Sequence, residues 1–106
     1  MRKLLVAVSA VVLFACGSNA SEVTLYFVPG CPYCEQAKKF FAEELSDVKV
    51  EKINVAEGGE NMRKFAAQLE KCKSSSRGVP LIIIKGDCIQ GFSPEIGAGI
   101  KSKLGK

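Results

Sequence analysis

The run Cys31-Pro32-Tyr33-Cys34 stands where two periodicities meet, and it narrows the architecture further than any other feature of the chain. Before it, Val23 to Val28 is a continuous apolar run of strand length, the pattern of a strand covered on both faces. After it, Ala37, Phe40, Phe41 and Leu45 recur at helical spacing, and Pro32 falls in the first helical turn, where its missing N–H costs nothing. Pro29-Gly30 breaks the chain between the two. The thiols therefore lie at a strand-to-helix junction, the first of them where the free N–H groups of a helix start can stabilise a thiolate. Two cysteines separated by two residues can close a small disulfide ring, and the chemistry expected of such a pair is thiol–disulfide exchange.

The rest of the chain supplies one small α/β domain. Val48 to Val55 reads as a second strand, closed by Gly58-Gly59. Met62, Phe65, Ala66, Leu69 and Cys72 form the apolar stripe of a second helix. A polar loop, Lys73 to Gly78, leads to Val79-Pro80 and the aliphatic run Leu81 to Ile84. The turn Lys85-Gly86-Asp87 and a short strand from Cys88 to Gln90 complete a hairpin. Pro94 opens a last helix with Ile96, Ile100 and Leu104 on one face, weakened by Gly97 and Gly99 at about 1 kcal/mol each. The order β-α-β-α-β-β-α implies a four-stranded mixed sheet flanked by three helices, with helices on both faces.

The first twenty residues do not belong to that domain. Arg2 and Lys3 precede an apolar stretch from Leu4 to Ala15, too short to span a bilayer, and Ser18-Asn19-Ala20 has the small-x-small pattern of a signal-peptidase site. Leu13-Phe14-Ala15-Cys16-Gly17 also resembles a bacterial lipobox, although Phe14 departs from the usual residue there. Residues 1–20 are thus expected to be a signal peptide, or residues 1–15 a lipoprotein signal with Cys16 lipidated, with an uncleaved hydrophobic N-terminus as a third alternative. Residues 21–106 are the expected domain. Either cleavage removes Cys16 from the free thiols and leaves an even four, Cys31, Cys34, Cys72 and Cys88, which suits an oxidising compartment such as a periplasm or cell envelope.

Charge and composition exclude several classes. The chain carries +4 at pH 7, and losing Arg2 and Lys3 leaves thirteen basic against eleven acidic residues, too weak a balance to suggest nucleic acid. There is no histidine, which removes Cys/His and Ser/His/Asp catalysis and every mixed Cys/His metal site.

These residues together resemble a glutaredoxin, a member of the thioredoxin superfamily. The resemblance covers nearly all of residues 22–104: the first strand, the Cys31–Cys34 motif, Ala37-Lys38, Val79-Pro80 before the third strand and Gly91 after the fourth. It implies the thioredoxin-like (glutaredoxin) fold and an enzyme, a thiol–disulfide oxidoreductase with Cys31 as the exposed nucleophile and Cys34 as the buried resolving thiol. It further implies that Pro80 is cis and faces the dithiol, leaving the Val79 backbone free to pair with an extended substrate. Tyr33, Gly91 and Phe92 join the expected substrate groove, with a core role for Phe92 as the alternative.

Substrate expectations rest on three departures from the glutathione-binding members. Val28 stands where they carry lysine, Gly78 where they carry threonine, and Gly91-Phe92-Ser93-Pro94-Glu95 where they carry Gly-Gly and an acidic pair. The last segment resembles instead the redoxins that serve ribonucleotide reductase. The expected partners are therefore protein thiols or disulfides and a redox partner not identified by the sequence, with no resident cofactor, no metal, no nucleic acid and a monomeric state. Glutathione use, or copper or iron–sulfur binding by the dithiol, are the alternatives. Cys72 and Cys88 are read either as a structural disulfide, whose loop of about sixteen residues would contribute roughly 3 kcal/mol, or as two buried free thiols.

Overall fold

The computed structural model describes residues 22–106; the segment read above as a signal peptide or lipoprotein signal, including Cys16, lies outside the described residues. The elements follow the expected order: β1 (Val23–Phe27), α1 (Pro32–Glu44), β2 (Val50–Asn54), a short 3-10 turn (Val55–Glu57), α2 (Gly59–Lys71), β3 (Leu81–Ile84), β4 (Asp87–Gln90) and α3 (Pro94–Lys103). The four strands form one sheet in the order β2-β1-β3-β4. β1 and β2 are parallel, joined by the α1 crossover, whereas β3 runs antiparallel to both β1 and β4. This is the thioredoxin-like arrangement.

Alternation along the strands divides the core in two. On one face Val23, Leu25, Ile82 and Ile84 pack against Ala37 and Phe41 of α1 and Ile100 of α3. On the other, Tyr26, Ile53 and Leu81 pack against Phe65 and Leu69 of α2. The interior strand β3 is therefore apolar on both sides, and β1 is so except at the partly buried Thr24. Burial, and secondarily the charge of Glu51, pushes the Tyr26 phenol above its ordinary range. At the surface the Lys106 ammonium, 2.6 Å from the carboxylate, holds Asp47 below its own.

Element ends differ from the sequence reading for local reasons. Helix α1 stops at Glu44 rather than near Ser46-Asp47, because the Leu45 N–H still reaches Phe41 but the chain then turns, with Val48 N–H donating to Leu45 at 2.9 Å. Val48 is buried in that turn, and β2 begins only at Val50, where its partner Val23 begins. Val55 and Val28 fall outside the strands because the β1–β2 ladder ends at the Phe27–Asn54 pair. Helix α2 starts at Gly59, three residues before its first expected apolar position.

The two glycines of α3 are not equivalent. Gly99 faces open space, but a Cβ on the buried Gly97 would lie 3.0 Å from Cε1 of Phe40. That ring is itself held between Phe41 and Phe92, each 5.3 Å away between centroids. Gly97 is thus where α3 approaches α1 closely, and its low helix propensity accompanies that contact. Gly99→Ala is expected to raise stability by up to about 1 kcal/mol. Gly97→Ala is expected to show no gain or a loss, because the ring must give way. Urea denaturation midpoints of the two variants check this contrast.

Candidate functional site

The site forms at the end of the sheet where β1 stops. Val28 accepts the Cys31 N–H at 3.3 Å across Pro29-Gly30, with Gly30 at φ +86°, so a proline at the second turn position and a glycine in the left-handed region at the third reverse the chain. The turn delivers Cys31 to the N-cap of α1, with extended dihedrals (φ −81°, ψ 115°). Its carbonyl accepts the first helical bond, from Glu35 N–H at 3.0 Å. Pro32 occupies the first helical turn, where no N–H is missed.

At that cap the sulfur takes the place usually held by a serine or aspartate oxygen. The Cys34 N–H donates to Sγ of Cys31 at 3.1 Å. This backbone amide is the helix-start N–H that the structure turns onto the sulfur. Cys31 is half-buried, whereas Cys34 is 0% exposed, packed beneath it on the core side of α1. Their Cα atoms are 5.2 Å apart and the two sulfurs are bonded, within the span a disulfide needs.

Two other segments converge on the same end. The Val79–Pro80 peptide bond is cis, Pro80 is buried, and the Val79 carbonyl lies 3.9 Å from Sγ of Cys31. Gly91, at φ +90°, donates its N–H to the Pro80 carbonyl at 2.8 Å. Tyr33, at 57% exposure, is a large apolar side chain left in solvent beside the dithiol. The ring of Phe92 packs on Phe40 and against the α1/α3 core, the alternative given for it above, and lines a groove there with Pro94.

Cys72 and Cys88 are also brought together, with Cα atoms 5.9 Å apart and their sulfurs bonded, joining the end of α2 to the edge strand β4. Cys88 is exposed and Cys72 half-buried, so neither is the buried free thiol of the alternative reading. Among the described residues no group of three or more histidine, cysteine or acidic side chains converges to hold a metal ion.

One residue that no sequence signal marked also touches the site's framework. The carboxamide of Gln90 reaches the loop before Val79, with Nε2 3.1 Å from the Ser76 carbonyl and 3.2 Å from that of Gly78. Glutamine at a strand end has no motif, and only the register of β4 beside β3 reveals it.

The glutaredoxin family model matches residues 23–89 of the chain. Among solved structures, a glutaredoxin from Archaeoglobus fulgidus superposes with a TM-score of 0.63 at 21% identity, covering 82% of this chain and 89% of that one. Glutaredoxin 1 from Francisella tularensis gives 0.58 at 27% identity, over 82% and 100%. The glutaredoxin-like NrdH-redoxin from Escherichia coli gives 0.55 at 24%, over 74% and 92%, a likeness of fold. No curated protein sequence matches the chain significantly.

Two outcomes follow from this geometry. In the protein reduced at the dithiol, iodoacetamide is expected to label Cys31 and leave the fully buried Cys34 unmodified until denaturant is added, as peptide mass mapping will report. Replacing Cys72 and Cys88 together by serine should lower unfolding free energy by roughly 3 kcal/mol, the contribution of a loop of about sixteen residues, measured by urea denaturation.

Proposed function

The chain belongs to the glutaredoxin family, and from that premise we propose that it is a dithiol oxidoreductase exchanging disulfides with protein substrates in the cell envelope. The observation that carries this reading is the pair of sulfurs at the helix start: one half-buried and hydrogen-bonded by a backbone amide at 3.1 Å, the other wholly buried behind it. An ordinary thiol with pKa near 8.5 is only about 3% ionised at pH 7, and thiols at helix starts ionise far more readily. The Cys34 amide and the helix dipole both favour the thiolate of Cys31 over its thiol.

In the reductive direction the Cys31 thiolate attacks one sulfur of a substrate disulfide, and the other sulfur leaves as a thiolate. Cys34, losing its proton, then attacks Sγ of Cys31. The mixed disulfide breaks, the substrate departs with both sulfurs reduced, and the Cys31–Cys34 disulfide holds the two electrons' worth of oxidation. Run backwards, the same steps oxidise a substrate dithiol. Direction follows the partner's potential, at about 30 mV per tenfold in the equilibrium constant.

A protein substrate is favoured over glutathione by three local features. Val28 puts an aliphatic side chain where the glutathione-binding members place a cation. The Val79 backbone and the exposed ring of Tyr33 offer an extended polypeptide a hydrogen-bonding edge and an apolar contact beside the sulfur. The envelope assignment is supported by the export pattern of residues 1–20 and by a second bonded cysteine pair, Cys72–Cys88, which suits an oxidising compartment.

Trapping tests the whole reading. Cys34→Ser, expressed with its N-terminal segment, cannot resolve a mixed disulfide and is expected to accumulate proteins linked through Cys31, released by dithiothreitol and absent when Cys31 is also serine. Recovery of glutathione alone on Cys31, with no protein adducts, would replace this reading by a glutathione-dependent one.

A further inference from the structure

Residues 73–78, Lys-Ser-Ser-Ser-Arg-Gly, have the composition of a flexible loop, yet they lead directly to Val79, whose carbonyl faces the nucleophilic sulfur. What holds them is one edge of β4. Pairing of Leu81 with Gln90 and of Ile83 with Cys88 places Gln90 and Cys88, two residues apart, on the α2 side of the sheet. Cys88 is bonded to Cys72 at the start of the loop. Gln90 grips its end.

The grip of Gln90 is specific in chemistry. Nε2 donates to two carbonyls, Ser76 at 3.1 Å and Gly78 at 3.2 Å. Oε1 lies 2.9 Å from Oγ of Ser74, whose single proton is shared between Oε1 and the Ser76 carbonyl, also at 2.9 Å. Carbonyl oxygens only accept, so the amide has one workable orientation, with its nitrogen toward the loop. On the far side of Val79 the residue that follows β4, Gly91, donates to the Pro80 carbonyl at 2.8 Å. The end of β4 thus holds the chain immediately before and immediately after Val79.

We propose that Gln90 is a positioning residue that presets the Val79 backbone for an extended polypeptide, so that this site discriminates in favour of protein disulfides over small ones. The inference rests on the function proposed above. A polar, serine-rich loop left free would have to be ordered when each substrate docks, and the carboxamide makes that ordering part of the folded protein. A small disulfide needs only the sulfur of Cys31 and gains nothing from the preset backbone.

The test uses pre-reduced full domain and follows its oxidation by insulin, a protein disulfide, and by hydroxyethyl disulfide. Gln90→Glu keeps the size of the side chain but points an acceptor at two carbonyl oxygens. It is expected to lower the rate constant with insulin about tenfold, the effect of losing two hydrogen bonds of modest net worth. The rate constant with hydroxyethyl disulfide should stay close to that of the parent, while the thermal midpoint falls by a few degrees, because the same two hydrogen bonds hold the loop in the free protein. Ser74→Ala, which removes only the Oγ contact, should lower the insulin rate by a smaller factor. An unchanged insulin rate in both variants, or an equal fall with both substrates, overturns the inference. A parent that reduces hydroxyethyl disulfide but not insulin overturns instead the protein-substrate reading on which it rests.

Discussion

The register of β1 against β3 is the constraint on which the site depends. Tyr26 pairs with Leu81 and Leu25 with Ile82, so the end of β1 and the start of β3 meet at one edge of the sheet. That pairing brings Cys31 within 3.9 Å of a carbonyl 48 residues away. The β3–β4 hairpin, with Leu81 opposite Gln90, adds the end of β4 to the same place. A slip of one residue would turn every side chain of a strand to the opposite face, moving Leu25 and Ile82 off the α1/α3 core. Hydrophobic burial on two faces therefore sets the chemistry at the end, although no core residue takes part in it.

At the dithiol a single N–H answers two needs. The helix start requires an acceptor for its free amides, and a thiolate at Cys31, in the function proposed above, requires a donor for its charge; the Cys34 amide and Sγ of Cys31 satisfy each other. A thiolate is a stronger acceptor than a disulfide sulfur, so the cap is strengthened when the pair is reduced and Cys31 ionised. Helix stability and redox state are linked through that bond, and the linkage favours the reduced form. Pro32 contributes by withholding a donor that the first turn could not have used.

The local features of this chain were legible because they are written within short windows. The apolar run of β1, the break at Pro29-Gly30, the dithiol and the stripe of Ala37, Phe41 and Leu45 each depend on residues a few positions apart. Boundaries were less so. Val48 and Val55 look like strand residues, and they are buried, but their burial comes in a turn and in a 3-10 segment, since a strand extends only as far as its neighbour allows. Gly97 reads as a weak helix residue, and only the approach of Phe40 from another helix explains it.

By itself the amino-acid sequence determined the order of elements, the fold and the placement of two cysteines at a helix start, because periodicity and turn chemistry are local properties of the chain. Tertiary structure alone decided that the Cys34 amide rather than a side chain caps the Cys31 sulfur, how Cys72 and Cys88 come to adjoin, and that Gln90 reaches the loop before Val79. Those relations join residues far apart in the chain. They exist only once sheet register has converted sequence separation into distance.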